Sequence, residues 1–133
     1  MAGSKTDALE ARLIDHLFKG GATPALTALS TVYVALYTSV PSDSAAGTEV
    51  AGSSYARQAV AAAAWTRTAG SISNNAEVAF PAVTGSAYTV VGWAILDASS
   101  AGNQLYWGDC ASTTMNVGDI PRFAPSSLTV AED

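Results

Sequence analysis

The sequence predicts a mainly β protein, an antiparallel β-sandwich of jelly-roll-like type with an N-terminal amphipathic helix. About seven or eight short segments have the composition of strands, with turns roughly every 8 to 12 residues, as in sandwiches. Two of these segments, residues 31–38 and 88–97, are apolar on both faces. The length of 133 residues suits one domain, and no linker divides the chain. We therefore expect a single domain, residues 1–133, with a helical arm at about residues 5–19.

The helical arm is predicted from its capping residues and its apolar spacing. Ser4 or Thr6 serves as the N-cap, and the acidic Asp7 and Glu10 are favourable in the first turn. Apolar residues follow at helical spacing: Leu9, Leu13, Ile14, Leu17 and Phe18. A helix of about 15 residues is not stable alone in water. The Leu9, Leu13, Leu17 stripe therefore needs a surface to pack on, and the exposed side of the sheet is the nearest one.

The strand predicted at residues 31–38 is the centre of the fold. Successive strand side chains point to opposite faces, so two apolar sets result: Val32, Val34 and Leu36 on one side, and Tyr33, Ala35 and Tyr37 on the other. A strand with one face in water should alternate apolar and polar residues. This strand must therefore be covered twice, once by its own core and once by another element or another molecule.

The remaining segments are shorter. A long connection at residues 39–53, rich in Ser, Gly and Ala, is either a surface loop or a contact loop. Residues 61–64 are ambiguous, because alanine favours helix but four residues are too few to decide. Residues 72–75 have the composition of a turn. Further strands are predicted at residues 55–60, 78–80, 88–97, 104–108, 113–117, 120–123 and 127–130.

The composition indicates a protein that functions inside an assembly. Charged residues make up 13% of the chain, against about 25% in a typical soluble domain. Much of the exterior must therefore consist of small residues with some larger apolar groups, and extended apolar patches mark interfaces. The single cysteine, Cys110, cannot form an internal disulfide and is expected to be a small buried hydrophobe.

The charge and hydropathy patterns argue against several partners. A net charge of −5 with six scattered basic residues does not favour nucleic-acid binding, which needs clustered Lys and Arg. No run of about 18 apolar residues is present, so no membrane span is expected. The N-terminal segment lacks the order of basic and then apolar residues that is typical of a signal peptide, because it is interrupted by Asp7, Glu10 and Asp15.

The sequence contains no pattern typical of an enzyme. The one histidine, His16, lies on the predicted helix and has no G-x-S-x-G partner, and no phosphate-binding glycine motif is present. Cys110 has no zinc-ligand companion. Four turn residues could supply oxygen ligands to calcium, but backbone bonding in turns already explains them: Asp97, Asn103, Asp109 and Asp119. We expect no catalytic activity, no cofactor and no metal.

The aromatic residues allow two interpretations, and the isolated arginines allow one. Five aromatic residues could either form a platform for stacking on sugars or belong to the core and to subunit contacts, and we favour the second interpretation. They are Trp65, Trp93, Trp107, Tyr88 and Tyr106. The isolated Arg57 and Arg122 are expected to pair with carboxylates: Glu49, Glu77 or Asp119.

Several sequence blocks resemble a family of small virion structural proteins of tailed bacteriophages, variously labelled capsid decoration, tail-fibre or minor tail proteins. The blocks are Leu13-Ile14-Asp15-His16, residues 32–39, Pro41-Ser42-Asp43, Gly47-Thr48-Glu49-Val50, residues 54–59, Gly92-Trp93-Ala94-Ile95, Trp107-Gly108, residues 118–123 and Leu128-Thr129. The resemblance spans residues 9–130. It implies a virion component made in the host cytoplasm, and no catalytic residues are carried over.

From these points we expect a capsid decoration or cement protein on the outer surface of the head. It would bind the major capsid protein and copies of itself by apolar burial, with no nucleic-acid or membrane partner. A tail or tail-fibre component, contacting tail proteins, and a module that binds host carbohydrate are the alternatives. Besides residues 1–5 and 39–53, the expected contact residues are Leu9, Leu13, Leu17, Phe18, Tyr33, Tyr37, Tyr55, Arg57, Trp93 and Trp107.

Overall fold

A computed structural model describes residues 3–21 and 26–132, which contain one α-helix and eleven strands. Their bounds are β1 (Ser4–Lys5), α1 (Asp7–Phe18), β2 (Thr31–Ser39), β3 (Thr48–Glu49), β4 (Gln58–Ala61), β5 (Trp65–Thr68), β6 (Ser71–Asn74), β7 (Val78–Ala79), β8 (Tyr88–Leu96), β9 (Gln104–Met115), β10 (Arg122–Phe123) and β11 (Thr129–Ala131). A short 3-10 turn, Ala62–Ala64, separates β4 from β5. Met1, Ala2 and residues 22–25 and 133 lie outside the described residues.

The strands form one large sheet and two small ones. The large sheet has six strands in the order β1-β9-β8-β2-β3, with β4 also paired to β2. The small sheets are β11-β6-β5 and β10-β7, and all pairings between named strands are antiparallel. The prediction of a mainly β, sandwich-like fold with one N-terminal helix is confirmed.

The main core lies between the large sheet and the small sheets. Strands β2 and β8 supply Val34, Leu36 and Ile95, and the small sheets and their connections supply Phe80 and Leu128. All five side chains are at most 5% exposed. Burial of these residues, at roughly 25 cal/mol per Å² of apolar surface, stabilises the stacked arrangement.

The second face of β2 is covered by this chain itself. Ala35 and Tyr37 form a second cluster with Ala94 and Leu96, and Trp107 packs against it. Tyr37 is 3% exposed. The middle of β2 therefore needs no second molecule to cover it, although the sequence alone left that possibility open.

Two glycines make room for the largest core side chain. A Cβ atom built on Gly108 would lie 2.5 Å from Cζ2 of Trp93, and one built on Gly3 would lie 2.5 Å from Cη2 of the same ring. Because neither glycine has a side chain, the indole of Trp93 lies directly against two backbone segments. Trp93 is 3% exposed as a result.

The three-stranded sheet was only partly predicted. Residues 72–75 were expected to form a turn, but most of them lie in β6, which pairs with both β5 and β11. The asparagine that suggested a turn has a tertiary role: Asn74 is fully buried, its Nδ2 donates to the carbonyls of Ala76 and Ala124, and its Oδ1 accepts from the amide of Leu128. The turn prediction was therefore wrong, because a side chain typical of turns bonds residues distant in sequence.

Other boundaries also differ from expectation. The two strands expected at residues 104–108 and 113–117 are one strand, β9, which pairs with β8 along most of its length despite shifts in register. The strand expected at residues 55–60 begins at Gln58. Within the described part of the chain, no helix has the length and hydrophobicity needed to span a bilayer.

Candidate assembly surface

The first turn of α1 is fixed to the large sheet. Thr6 is the N-cap: its Oγ1 accepts from the amide of Leu9 at 3.3 Å and donates to the carbonyl of Gln104 at 2.8 Å. The amide of Thr6 donates to the carbonyl of Leu105, and that of Asp7 donates to the carbonyl of Asp43. The helix start is therefore held by β9 and by the loop that precedes β3.

The last two turns of α1 present large apolar side chains to solvent. Ile14 is 57% exposed, Leu17 is 72% exposed and Phe18 is 81% exposed. Residues three and four apart are neighbours on a helix surface. Ile14, Leu17 and Phe18 therefore form one patch, which we call the helix knob.

The predicted Leu9, Leu13, Leu17 stripe is divided between the inside and the outside. Leu9 is 6% exposed, Leu13 is half-buried and Leu17 belongs to the helix knob. A spacing of four residues advances about 40° per step on a helix of 3.6 residues per turn. Over two steps the stripe therefore moves from the buried face to the exposed face. Ile14 was not among the expected contact residues, although its spacing to Leu17 and Phe18 could have identified it.

The predicted tyrosine contacts on β2 lie mostly inside the chain. Tyr37 is buried, and its hydroxyl accepts from Nε2 of Gln104 at 3.1 Å. Burial raises the pKa of Tyr37 above its ordinary value, with a smaller effect from the charge of Glu49. Tyr33 is half-buried. Of the two rings, only Tyr33 leaves part of its surface for a partner.

Tyr55 and Arg57 are tied into a network around Glu49. Arg57 donates from Nε and Nη2 to the two carboxylate oxygens of Glu49, each at 2.8 Å, and from Nη1 to the carbonyls of Ala98 and Ala101. The hydroxyl of Tyr55 donates to Glu49 at 2.8 Å. The expected pairing of Arg57 with a carboxylate is confirmed, as is that of Arg122, whose Nη1 lies 3.5 Å from Glu77.

The Glu49 network is stabilised by charge as well as by hydrogen bonds. Burial by itself raises the pKa of Glu49, but the bonds from Arg57 and Tyr55 outweigh it, so the pKa lies below its ordinary value. Burial raises the pKa of Tyr55. The Arg57 side chain is only 10% exposed, so this network mainly joins the chain's own loops.

The tryptophans do not form an exposed platform. Trp93 is buried in the core, and the half-buried Trp107 donates from Nε1 to Oδ1 of Asp43 at 2.8 Å. The half-buried Tyr106 donates to Oε1 of Glu132 at 2.7 Å. Trp93 is inaccessible, and the other four rings of the predicted platform are each partly covered by this chain, so the arrangement gives no support to sugar stacking.

The long loop at residues 39–53 packs on its own chain near its middle. Asp43 accepts from the helix start and from Trp107, and Gly47 approaches the backbone of Ser39 and Pro41 so closely that a Cβ would clash at 2.6 Å. With φ of 69°, Gly47 also adopts a conformation that favours glycine. These contacts hold the middle of the loop on this chain, and residues 43–48 remain exposed.

A cleft of about 430 Å³ opens between the large sheet and the three-stranded sheet. We call it the interlayer cleft. Its apolar walls come from both layers: Val32, Trp65, Ile72, Ile95, Leu105 and Val130. The sequence did not indicate this cleft, because β5 and β6, which form one wall, were not predicted as strands.

The polar groups that line the interlayer cleft differ in whether they have hydrogen-bond partners. Glu132 is ion-paired with Lys5 and accepts from Tyr106. The exposed Arg67 donates from Nη1 to the carbonyl of Ala69 at 2.9 Å. Nε1 of Trp65, by contrast, is buried and has no hydrogen-bond acceptor. A buried donor without a partner is rare in native proteins.

Three of the four turn residues considered as calcium ligands make hydrogen bonds within their own turns. Asp97 accepts from the amide of Asn103 and from its Nδ2, each at 2.7 Å, and Asp119 accepts from the amide of Asn116 at 2.9 Å. Among the described residues, no group of three or more His, Cys, Asp or Glu side chains is placed to hold a metal ion.

The described residues define a class: a β-rich protein whose two most exposed large apolar side chains, Leu17 and Phe18, lie at the end of one helix. A family model then identifies it. The chain belongs to the family described as "Podophage GP4 fiber I protein gp80", which matches residues 4–131. It is thus a virion structural protein of a tailed phage, as the resemblance implied. No curated protein matches the sequence.

Proposed function

We propose that this protein is a structural component of the phage tail fibre and binds neighbouring virion subunits non-covalently through the helix knob. The family description names a fibre protein, which favours the tail over the head. The observation that carries the contact surface is the exposure of Leu17 and Phe18, 72% and 81%, on a helix whose other end is fixed. Burying such side chains gains about 1.5–3 kcal/mol each.

The proposed role is structural rather than catalytic. The carboxylates with the most bonding partners, Glu49 and Glu132, are neutralised by Arg57 and Lys5 of the same chain. A net charge of −5 does not suit a surface that binds nucleic acid. Adhesion between subunits is the activity that these features support.

A capsid decoration role is the second candidate. In this role the protein would bind the major capsid protein and copies of itself on the head. The charged fraction of 13% supports it, because a surface poor in charge leaves apolar area for repeated contacts. The helix knob would be the contact in this case as well.

The test is the position of the protein in the particle. Purified virions are examined by electron microscopy with a gold-labelled antibody, and the protein is quantified against the capsid protein on a gel. We expect label at the tail and few copies per particle. Label spread over the head, with a copy number comparable to that of the capsid protein, would overturn the fibre assignment in favour of decoration.

The contact surface is tested in the same particles. We expect Phe18→Ser to reduce incorporation strongly, because it removes an apolar contact without disturbing the core. Val117→Ser is the matched control, since Val117 is 60% exposed and lies outside α1. Equal incorporation of the two variants would contradict a role for the helix knob.

A further inference from the structure

We propose that Asp43 is a positioning residue for the helix knob: it braces the first turn of α1 and so sets where Leu17 and Phe18 are presented. This inference rests on the proposed function, in which the helix knob is the contact with neighbouring virion subunits. Asp43 lies outside α1, in the connection between β2 and β3. Its backbone carbonyl bonds to the helix, and its side chain bonds to the large sheet.

The helix knob lies at the end of a lever. Asp7 begins α1 and Phe18 ends it, so at about 1.5 Å per residue they are roughly 16 Å apart along the helix axis. A tilt of about 10° at the first turn would therefore move Phe18 by roughly 3 Å. Such a shift is most of a contact distance between apolar side chains, which is about 4 Å. A contact made by the helix knob therefore requires a restrained tilt.

The start of β9 orients the first turn of α1. The amide of Thr6 donates to the carbonyl of Leu105 at 3.0 Å, and its Oγ1 donates to the carbonyl of Gln104 at 2.8 Å. Leu9 is buried and lines the same small cavity as Leu105. These restraints act close to one point of the sheet, so they leave a residual tilt of the far end of the helix. A bond from a separate element limits that tilt.

Asp43 supplies this second support. The amide of Asp7 donates to the carbonyl of Asp43 at 3.0 Å, and Oδ1 of Asp43 accepts from Nε1 of Trp107 at 2.8 Å. The carboxylate therefore holds the carbonyl of the same residue in place for the helix. The indole of Trp107 is itself held, because it packs against the second core cluster: Ala35, Tyr37, Ala94 and Leu96.

The loop that carries Asp43 is suited to act as a brace. Pro41 is fully buried, and Gly47 packs closely on its backbone. Between them, the amide of Ser42 donates to the carbonyl of Ala45 at 2.8 Å, and the amide of Ala45 donates to Oγ of Ser42 at 3.0 Å. The loop is therefore held on both sides of Asp43, and a support fixed in this way transmits little motion to α1.

The experiment measures the direction of the helix in the full chain. Asp43→Ala removes the side-chain acceptor, Asp43→Asn keeps one, and Ser44→Ala is the matched control at the next exposed position. Spin labels are placed at the exposed positions of Lys19→Cys and Ser112→Cys, in a Cys110→Ala background. Double electron–electron resonance gives the distribution of distances between the labels, and circular dichroism checks the fold. Incorporation into virions is measured on the unlabelled variants.

We expect Asp43→Ala to broaden the distance distribution by roughly 3 Å, the displacement of a 10° tilt, and Asp43→Asn and Ser44→Ala to leave it narrow. Trp107→Phe, which lacks the indole N–H, should broaden it as Asp43→Ala does, with no further broadening in the double variant. Incorporation of Asp43→Ala should fall about tenfold, as when a central interface contact is lost. A loss of stability alone would not broaden the distribution in a folded chain.

An unchanged distribution in Asp43→Ala would overturn the inference, and so would a broadened one with normal incorporation. Phe18→Ser separates this inference from the proposed function. If Phe18→Ser blocks incorporation while Asp43→Ala keeps a narrow distribution, the brace is wrong and the helix knob remains the contact. If both variants are incorporated normally, the helix knob is not the contact, and both proposals are wrong.

Discussion

Replacing Gly108 by alanine tests the packing of the large sheet most directly. The added Cβ would lie 2.5 Å from Cζ2, 2.6 Å from Cε2 and 2.9 Å from Nε1 of Trp93. These distances are far shorter than an ordinary contact, and the indole cannot move away because its Cη2 atom lies against Gly3. Overpacking of this kind costs typically about 1–3 kcal/mol.

The direction in which Gly108→Ala changes the free energy of unfolding is informative, because glycine inside a strand is otherwise unfavourable. Without a clash, Gly→Ala in a strand interior should stabilise by roughly 0.5–1 kcal/mol. We therefore expect Gly108→Ala to lower the free energy of unfolding by about 1–2 kcal/mol, as the difference of the two effects. Urea denaturation followed by far-UV circular dichroism measures it.

A double-mutant cycle isolates the contact with Trp93. Trp93→Leu alone should destabilise by about 2–4 kcal/mol, because the ring fills the core. In that background the space beside residue 108 is open, so Gly108→Ala should be neutral or slightly stabilising. An equal cost in both backgrounds, or no cost in the wild type, would refute the packing argument.

Three further predictions concern the helix, the Glu49 network and the free thiol. Leu9→Ala should lower the free energy of unfolding by about 2–4 kcal/mol, whereas Leu17→Ala should change it by less than about 0.5 kcal/mol. If urea denaturation gave similar costs for both, Leu9 and Leu17 would not differ in burial as described. Although burial acts in the opposite direction, the bonds from Arg57 and Tyr55 hold the pKa of Glu49 below its ordinary value of 4.5. Its stabilisation is therefore present at neutral pH and is lost as the pH falls from that ordinary value through the lowered one, so Glu49→Gln should reduce stability at pH 7 by about 2 kcal/mol and flatten its acid dependence. An unchanged profile would show that the pair with Arg57 contributes nothing. Burial and, to a smaller extent, the charge of Asp109 raise the pKa of the Cys110 thiol. The native protein should therefore react with iodoacetamide at pH 7 more slowly than the unfolded chain. Equal rates would show that the fold does not raise the pKa of this thiol.

Local patterns predicted the elements whose signals are strong within a few residues. The helix begins after Thr6 because a capping residue and an acidic first turn coincide, and both act through neighbouring backbone groups. The strands β2 and β8 were recognised because β-branched and aromatic residues fill both of their faces. The mainly β class and the phage family followed from the same segments.

Strand β6 of the three-stranded sheet was missed because the contacts that hold it to β11 and to the segment before β11 are distant in sequence. Asn74 bonds to Ala124 and Leu128, about fifty positions away, and a window of neighbouring residues cannot contain that information. Because β5 and β6 were not predicted as strands, the interlayer cleft, of which they form one wall, was not predicted either.

The candidate surface shows which features could not be predicted from neighbouring residues in the sequence. The sequence by itself determined that α1 would be amphipathic, that β2 would need cover on both faces and that few charges would protect the exterior. Only the tertiary structure decided that Leu9 faces inward while Leu17 and Phe18 face solvent, and that Tyr37 is buried within this chain. The physical reason is that exposure is set by which surfaces meet after folding, and the helix's orientation is fixed by bonds from Thr6 to residues about a hundred positions away.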